Sequence, residues 1–268
     1  MKKIFATAVS LLLIQAHSQS VVNTGGRGST SIDRNVIDKR KKVEIQKRSI
    51  LIIGNEFSAA NSMQQLTQYI SAQHVKPYKV TSGSIFGKNY SFKDHLEKSP
   101  LKESFKEIQW DYVILQGHAE MALQSPDAYK SNAASLIQNL KQFKTKIILL
   151  MPPAKTGTAV DTQTLLKLHL EIAKENNSVL SPVGSAFTLA KKNEARLKLF
   201  LADNSTPSPH GSYLTAAVLS HTLTGQSCIG QKQLGLKSIT QAEGLYLQKV
   251  STKIMKDYIN YLKRQNLK

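Results

Sequence analysis

The sequence predicts an α/β protein, a three-layer αβα sandwich around a central, mostly parallel sheet. Three observations predict it. Short runs of continuous Ile, Leu and Val alternate with longer amphipathic stretches, as doubly buried strands and their covering helices do. The 268 residues, 41% hydrophobic and 20% charged, suffice for one sizeable core. Cys228 is the only cysteine, so no internal disulfide can staple the chain and the fold must rest on that core. With no second thiol and no His partner near it in sequence, Cys228 reads as a packed small hydrophobe.

In chain order, Met1 to Ser18 has the three parts of a secretory signal. Lys2 and Lys3 precede an apolar run from Ile4 to Ile14, and Ala16-His17-Ser18 offers a small-x-small cleavage site. That run is too short to span a bilayer, and no later stretch reaches the necessary length, so no transmembrane anchor is expected. The mature protein is expected to be secreted or periplasmic. Residues 19–47 are rich in Gly, Ser and Lys, without apolar periodicity, and read as a flexible basic leader. The domain is then expected over 48–268.

Within it, apolar runs predict strands at Ser49–Gly54, Tyr78–Thr81, Asp111–Leu115 and Lys146–Met151, with a weaker one at Ser178–Leu180. Helical spacing predicts helices around Ala59–Gln73, Asp127–Phe143 and Asp161–Asn176. Thr240 to Leu267 reads as one long closing helix through Leu245, Val250, Ile254, Tyr258 and Tyr261. Right-handed crossovers put any site beyond the carboxyl ends of the strands. The positions there are Gly54, Asn55 and Glu56 after the first strand, then Gly83 and Gly87 after the second. Gln116, Gly117 and His118 follow the third, and Pro152 and Pro153 the fourth. The last segment, Leu201 to Gly225, is a polar, proline-marked loop running into a helix through Gly211 and Ser212. The formal charge of +18 favours anionic partners in general. The lysines are scattered rather than interleaved with aromatics, so no specific nucleic acid is predicted.

Four of these segments resemble the blocks of the SGNH (GDSL-type) hydrolases, in particular the secreted bacterial subgroup whose first strand ends in Gly-Asn-Ser-Phe. They are "LIIGNEFSAAN", "WDYVILQGHAE", "VLSPVGSAFTLA" and "DNSTPSPHGSYLTAAVLSHTLTG", which follow the family's order from Ser49 to about Gly230. The resemblance implies the family's flavodoxin-like sandwich. It also implies a serine nucleophile after Gly-Asn, a histidine base in Asp-x-x-His oriented by its aspartate, and oxyanion donors from the second and third blocks.

Residue by residue, the aspartate is retained as Asp203. Glu56 stands at the nucleophile position and Thr206 at that of the base. The crevice and oxyanion region would comprise Asn55, Gly83 or Gly87, Gln116, Gly117 and His118. Without a hydroxyl and a base at their stations, Ser-His-Asp ester cleavage is not available as written.

Ser58 and His210 are the possible substitutes. Ser58 otherwise reads as a helix-capping or small surface residue, and His210 as loop or helix-start scaffold. Asp203 reads most simply as capping its loop through the backbone of Asn204 and Ser205. Ser181 or Ser185 is expected to cap the helix after Pro182-Val183-Gly184. Glu56, His118, Asp203 and His210 could form an acid/base pair or bind a metal, but no compact ligand motif supports a metal, and neither metal nor cofactor is expected.

Three readings follow. One is a non-catalytic member that binds a carbohydrate in the old crevice. The second is an esterase or deacetylase acting on carbohydrate or small acyl esters through Ser58 with His118 or His210. The third is a basic, anion-binding envelope protein. No oligomeric state follows from the sequence.

Overall fold

The computed structural model describes residues 45–155, 157–194, 196–232 and 238–265. The expected signal at Met1–Ser18 and nearly all of the leader lie outside them. Five strands, β1 (Gln46–Gly54), β2 (Tyr78–Phe86), β3 (Tyr112–Gln116), β4 (Lys146–Leu150) and β5 (Val179–Ser181), form one wholly parallel sheet in the order β2-β1-β3-β4-β5. The order reverses at β1, so the crevice between the ends of β1 and β3 is the switch point where such sheets place their ligands.

Alternation along each strand builds two cores. Ile50, Ile52, Ile114, Ile148 and Leu150 face one layer, and Leu51, Ile53, Val113, Leu115 and Leu149 face the other. The first face is covered by α2 (Met63–Ala72), α8 (Val183–Asn193), α9 (Pro209–Thr224) and α10 (Gln241–Arg264), all of which contribute to that cluster. The second is covered by α3 (Phe92–Lys98), α6 (Pro126–Lys141) and α7 (Ala159–Glu175). Three short helices complete the set: α1 (Glu56–Ala59), α4 (Leu101–Ser104) and α5 (Ala119–Gln124). Every residue of α9 from Gly211 to His221 is buried, so this helix is an interior post. Cys228 is buried too, and burial pushes its thiol up to about 12.

Two elements depart from the sequence expectation. β2 runs on to Phe86, five residues past Thr81, because its whole length pairs in register with β1, from Gln46 opposite Tyr78 to Gly54 opposite Phe86. The Ser82-Gly83-Ser84 run looks like a turn when read alone, yet the ladder holds it extended. Gly83 is therefore mid-strand and not a crevice residue. A Cβ there would lie 2.6 Å from the Trp110 ring, which packs into the gap.

The expected helix from Ala59 to Gln73 is also broken. After α1 comes a 3-10 turn, Ala60–Ser62, in which Asn61 and Ser62 have φ of 50° and 52°. Asn tolerates this left-handed region. Its side chain donates to the Pro207 carbonyl and the Ser212 hydroxyl, both at 2.9 Å, and so ties the turn to the loop before α9.

Candidate functional site

Gly54 closes β1, and the chain turns into α1 under several constraints. The Gly54 carbonyl accepts from the Gly87 N–H at 3.1 Å and lies 3.1 Å from His95 Nε2. A carbonyl only accepts, so His95 Nε2 carries the proton, and Nδ1 then accepts from the Ser99 hydroxyl at 2.7 Å. Burial pushes His95 down to about 4, which keeps it neutral. Asn55 caps α1, with Oδ1 accepting from Phe57 N–H at 3.0 Å.

Beneath the turn, Gln116 Oε1 accepts from Asn55 N–H at 3.2 Å and from the Ser58 hydroxyl at 2.9 Å. Gln116 Nε2 donates to the Gly117 carbonyl at 2.7 Å. A Cβ on Gly54 would lie 2.7 Å from Gln116 Oε1, so glycine is required by close approach.

Glu56 is half-buried at the first position of α1, and its Oε2 accepts from Asn89 N–H at 2.9 Å. The carboxylate thus holds the backbone donor that the loop after β2 offers to the corner. On the loop before α9, Asp203 Oδ1 accepts from the N–H groups of Ser205 at 2.9 Å and Thr206 at 2.8 Å, while Oδ2 accepts from the Thr206 hydroxyl at 2.6 Å. These bonds, the Thr206 hydroxyl first, hold its carboxyl below the usual range, with a smaller push from the Lys155 charge. Lys155 also pairs with Glu120 at 2.5 Å.

A small cleft of about 40 Å³ remains between these loops. Glu56, Gln116, Gly117, His118, Glu120 and Lys155 supply its polar walls, and Phe57, Pro152, Pro153 and Phe200 its apolar ones. His118 Nε2 is buried there with no hydrogen-bond partner among the described residues.

Solved structures share this architecture. A DUF4886 family protein from Bacteroides uniformis superposes with a TM-score of 0.69 at 14% identity, covering 78% of this chain and 95% of its own. A protein from Slackia heliotrinireducens, described as a proposed SGNH hydrolase, gives 0.52 at 22% identity over 66% of this chain and 100% of its own. The chain has the SGNH-hydrolase fold. A lipase/acylhydrolase from Enterococcus faecalis gives 0.50 at 18% identity, with 66% and 96% covered. No protein-family model matches the sequence, and no curated protein does.

On this SGNH scaffold the cleft gathers Asn55, Glu56, Gln116, Gly117 and His118 from the expected site. Four other expected residues fall elsewhere. Gly83 is mid-strand, as described, and does not line the cleft, while the Gly87 N–H is engaged by the Gly54 carbonyl and so is not open to an oxyanion. Ser58 is neither a cap nor a surface residue. It is fully buried, and Asn55 does the capping. His210 faces α10, where its Nε2 lies 3.4 Å from Glu243 Oε2, inside the Thr240–Glu243 capping box.

Two smaller expectations also shift. Asp203 caps through Ser205 and Thr206 rather than Asn204, and α8 begins at Val183 behind Pro182, with no side-chain cap from Ser181 or Ser185. Among the described residues no group of three or more His, Cys, Asp or Glu is placed to hold a metal ion. Sequence reading did not single out Asn89, His95 or Lys155. Asn89 and His95 follow the true end of β2, and Lys155 sits two residues past the Pro152-Pro153 signal, so a correct strand end would have pointed to the first two.

Proposed function

We propose that this protein is a non-hydrolytic ligand-binding protein on the SGNH scaffold, taking a polar ligand of the carbohydrate class at the β1–β3 corner. One observation carries the reading: the groups at both essential stations are satisfied internally. Glu56 is bonded to Asn89 N–H, and Asp203 to Thr206 rather than to a base. A serine-type acyl transfer needs a hydroxyl, a base within hydrogen-bond reach and open oxyanion donors. Ser58 does not supply the first, since its hydroxyl is sealed against Gln116.

The cleft offers carboxylates, an amide, an imidazole and an ammonium beside the Phe200 ring. That mixture suits hydroxyl-rich rings, whose edges hydrogen-bond and whose faces pack on apolar groups. Its small volume admits a hydroxyl or hydroxymethyl group, with the sugar ring itself resting at the mouth. Export through Met1–Ser18 belongs to the same reading and rests on the sequence pattern alone.

Glycan-array screening of wild-type protein, followed by titration of the best oligosaccharide, tests the proposal. Saturable binding lost in Glu56→Ala and in His118→Ala is expected. Binding indifferent to both substitutions, or no glycan bound at all, would contradict it.

A further inference from the structure

A second cavity lies away from the corner, between α7, the start of α8 and the C-terminal half of α10. At about 660 Å³ it is more than ten times the volume of the corner cleft and within the usual range of small-molecule sites. Leu166 and Leu170 from α7 and Ile254 and Tyr258 from α10, all half-buried, line it, with Tyr261 at its rim 42% exposed. Leaving such apolar surface in water is unfavourable, at roughly 25 cal/mol per Å².

The charges along this groove are not balanced. Its two carboxylates already have partners, Glu171 with Lys130 at 3.8 Å and Asp257 with Lys253 at 3.0 Å. Its two lysines, Lys167 and Lys174, are exposed, and neither makes an ion pair among the described residues. Seven residues apart on α7, they stand on one side of the helix, about 10 Å from each other along its axis. An apolar trough edged by uncompensated cations is the complement of a molecule with a long alkyl chain and a single anionic head.

We propose that the groove binds a long-chain fatty acid, with its alkyl chain along Leu166, Leu170, Ile254 and Tyr258 and its carboxylate on the lysine edge of α7. This site is independent of the corner and does not rest on the carbohydrate reading.

Calorimetric titration of sodium dodecanoate into the full chain, below the concentration at which the soap aggregates, tests it. Saturable one-site binding is expected. Because Lys167 and Lys174 are exposed, Lys167→Glu with Lys174→Glu should keep the wild-type melting temperature. That double variant should bind at least about tenfold more weakly. Leu170→Asp should abolish binding, and Glu56→Ala should bind as wild type does. Four results would overturn the proposal. They are no saturable binding by wild type, binding unchanged by the lysine reversal, equal affinity for uncharged dodecanol, and a concentration-dependent dimer dissociated by Leu170→Asp but not by dodecanoate. The last would assign the groove to a second copy.

Discussion

At the scale of single residues, Gln116 decides how the corner is held. Its carbonyl oxygen accepts from two donors at once, so the two partners differ in importance. In Ser58→Ala that oxygen keeps the Asn55 N–H, and the cost should be about 1 kcal/mol or less. Gln116→Leu orphans the Asn55 N–H and the Ser58 hydroxyl together, and should cost about 2–4 kcal/mol. Urea denaturation of the two variants gives the comparison, and equal losses would contradict the shared-acceptor arrangement. The identities of Glu56 and Thr206 at the two stations were legible from the motif spacing. The partners that hold the altered side chains were not. Asn89 N–H meets Glu56 across 33 residues, and nothing in a local pattern announces such a contact.

At the scale of elements, the loop before α9 and the helix itself are locked by a near-contact of backbones. A Cβ on Gly211 would stand 2.1 Å from the Leu199 carbonyl oxygen, and that carbonyl already accepts from Ser208 N–H at 2.9 Å. Neither side can move freely, because Gly211 is flanked by the Ser208 cap and the Asn61 tie to Pro207 and Ser212. Gly211→Ala should therefore destabilise the fold by about 3 kcal/mol or more, read as a lower urea midpoint with unchanged slope. A near-neutral result would mean that the helix start is free to shift.

Element type was readable wherever burial is two-sided. β1, β3 and β4 appear within three residues of their expected starts, since continuous Ile, Leu and Val runs have few other uses. The second half of the edge strand β2, Ser82 to Phe86, and the kink at Asn61-Ser62 were not readable. Each is stabilised by tertiary partners that override a local sequence of turn-like or helical character.

At the scale of the whole molecule, burial holds several histidines neutral, three of them strongly. Burial pushes His95, His169 and His221 each down to about 4. His169 illustrates the arrangement. Its Nδ1 donates to the Leu165 carbonyl at 2.7 Å, and its Nε2 accepts from the Tyr129 hydroxyl at 3.0 Å. In the unfolded chain these groups take up protons near pH 6.5. Between there and about pH 4 the unfolded state holds more protons than the folded one, so stability rises with pH across that window. It is fully present above pH 6.5 and falls as pH drops toward 4, by up to roughly 3 kcal/mol for each histidine. Thermal melts from pH 7.5 to 4.5 should show a steadily falling midpoint, and a flat profile would show that these histidines are not held neutral.

The proposed function holds that the SGNH corner is kept as architecture without its hydrolytic chemistry. The most direct measurement is intact mass after incubation with a fluorophosphonate probe, together with p-nitrophenyl acetate turnover. No adduct and no turnover above the uncatalysed rate are expected, since Glu56 fills the corner and no hydroxyl there faces a base. A stoichiometric adduct that disappears in Ser58→Ala, with turnover lost alongside it, would show instead that the corner still hydrolyses esters.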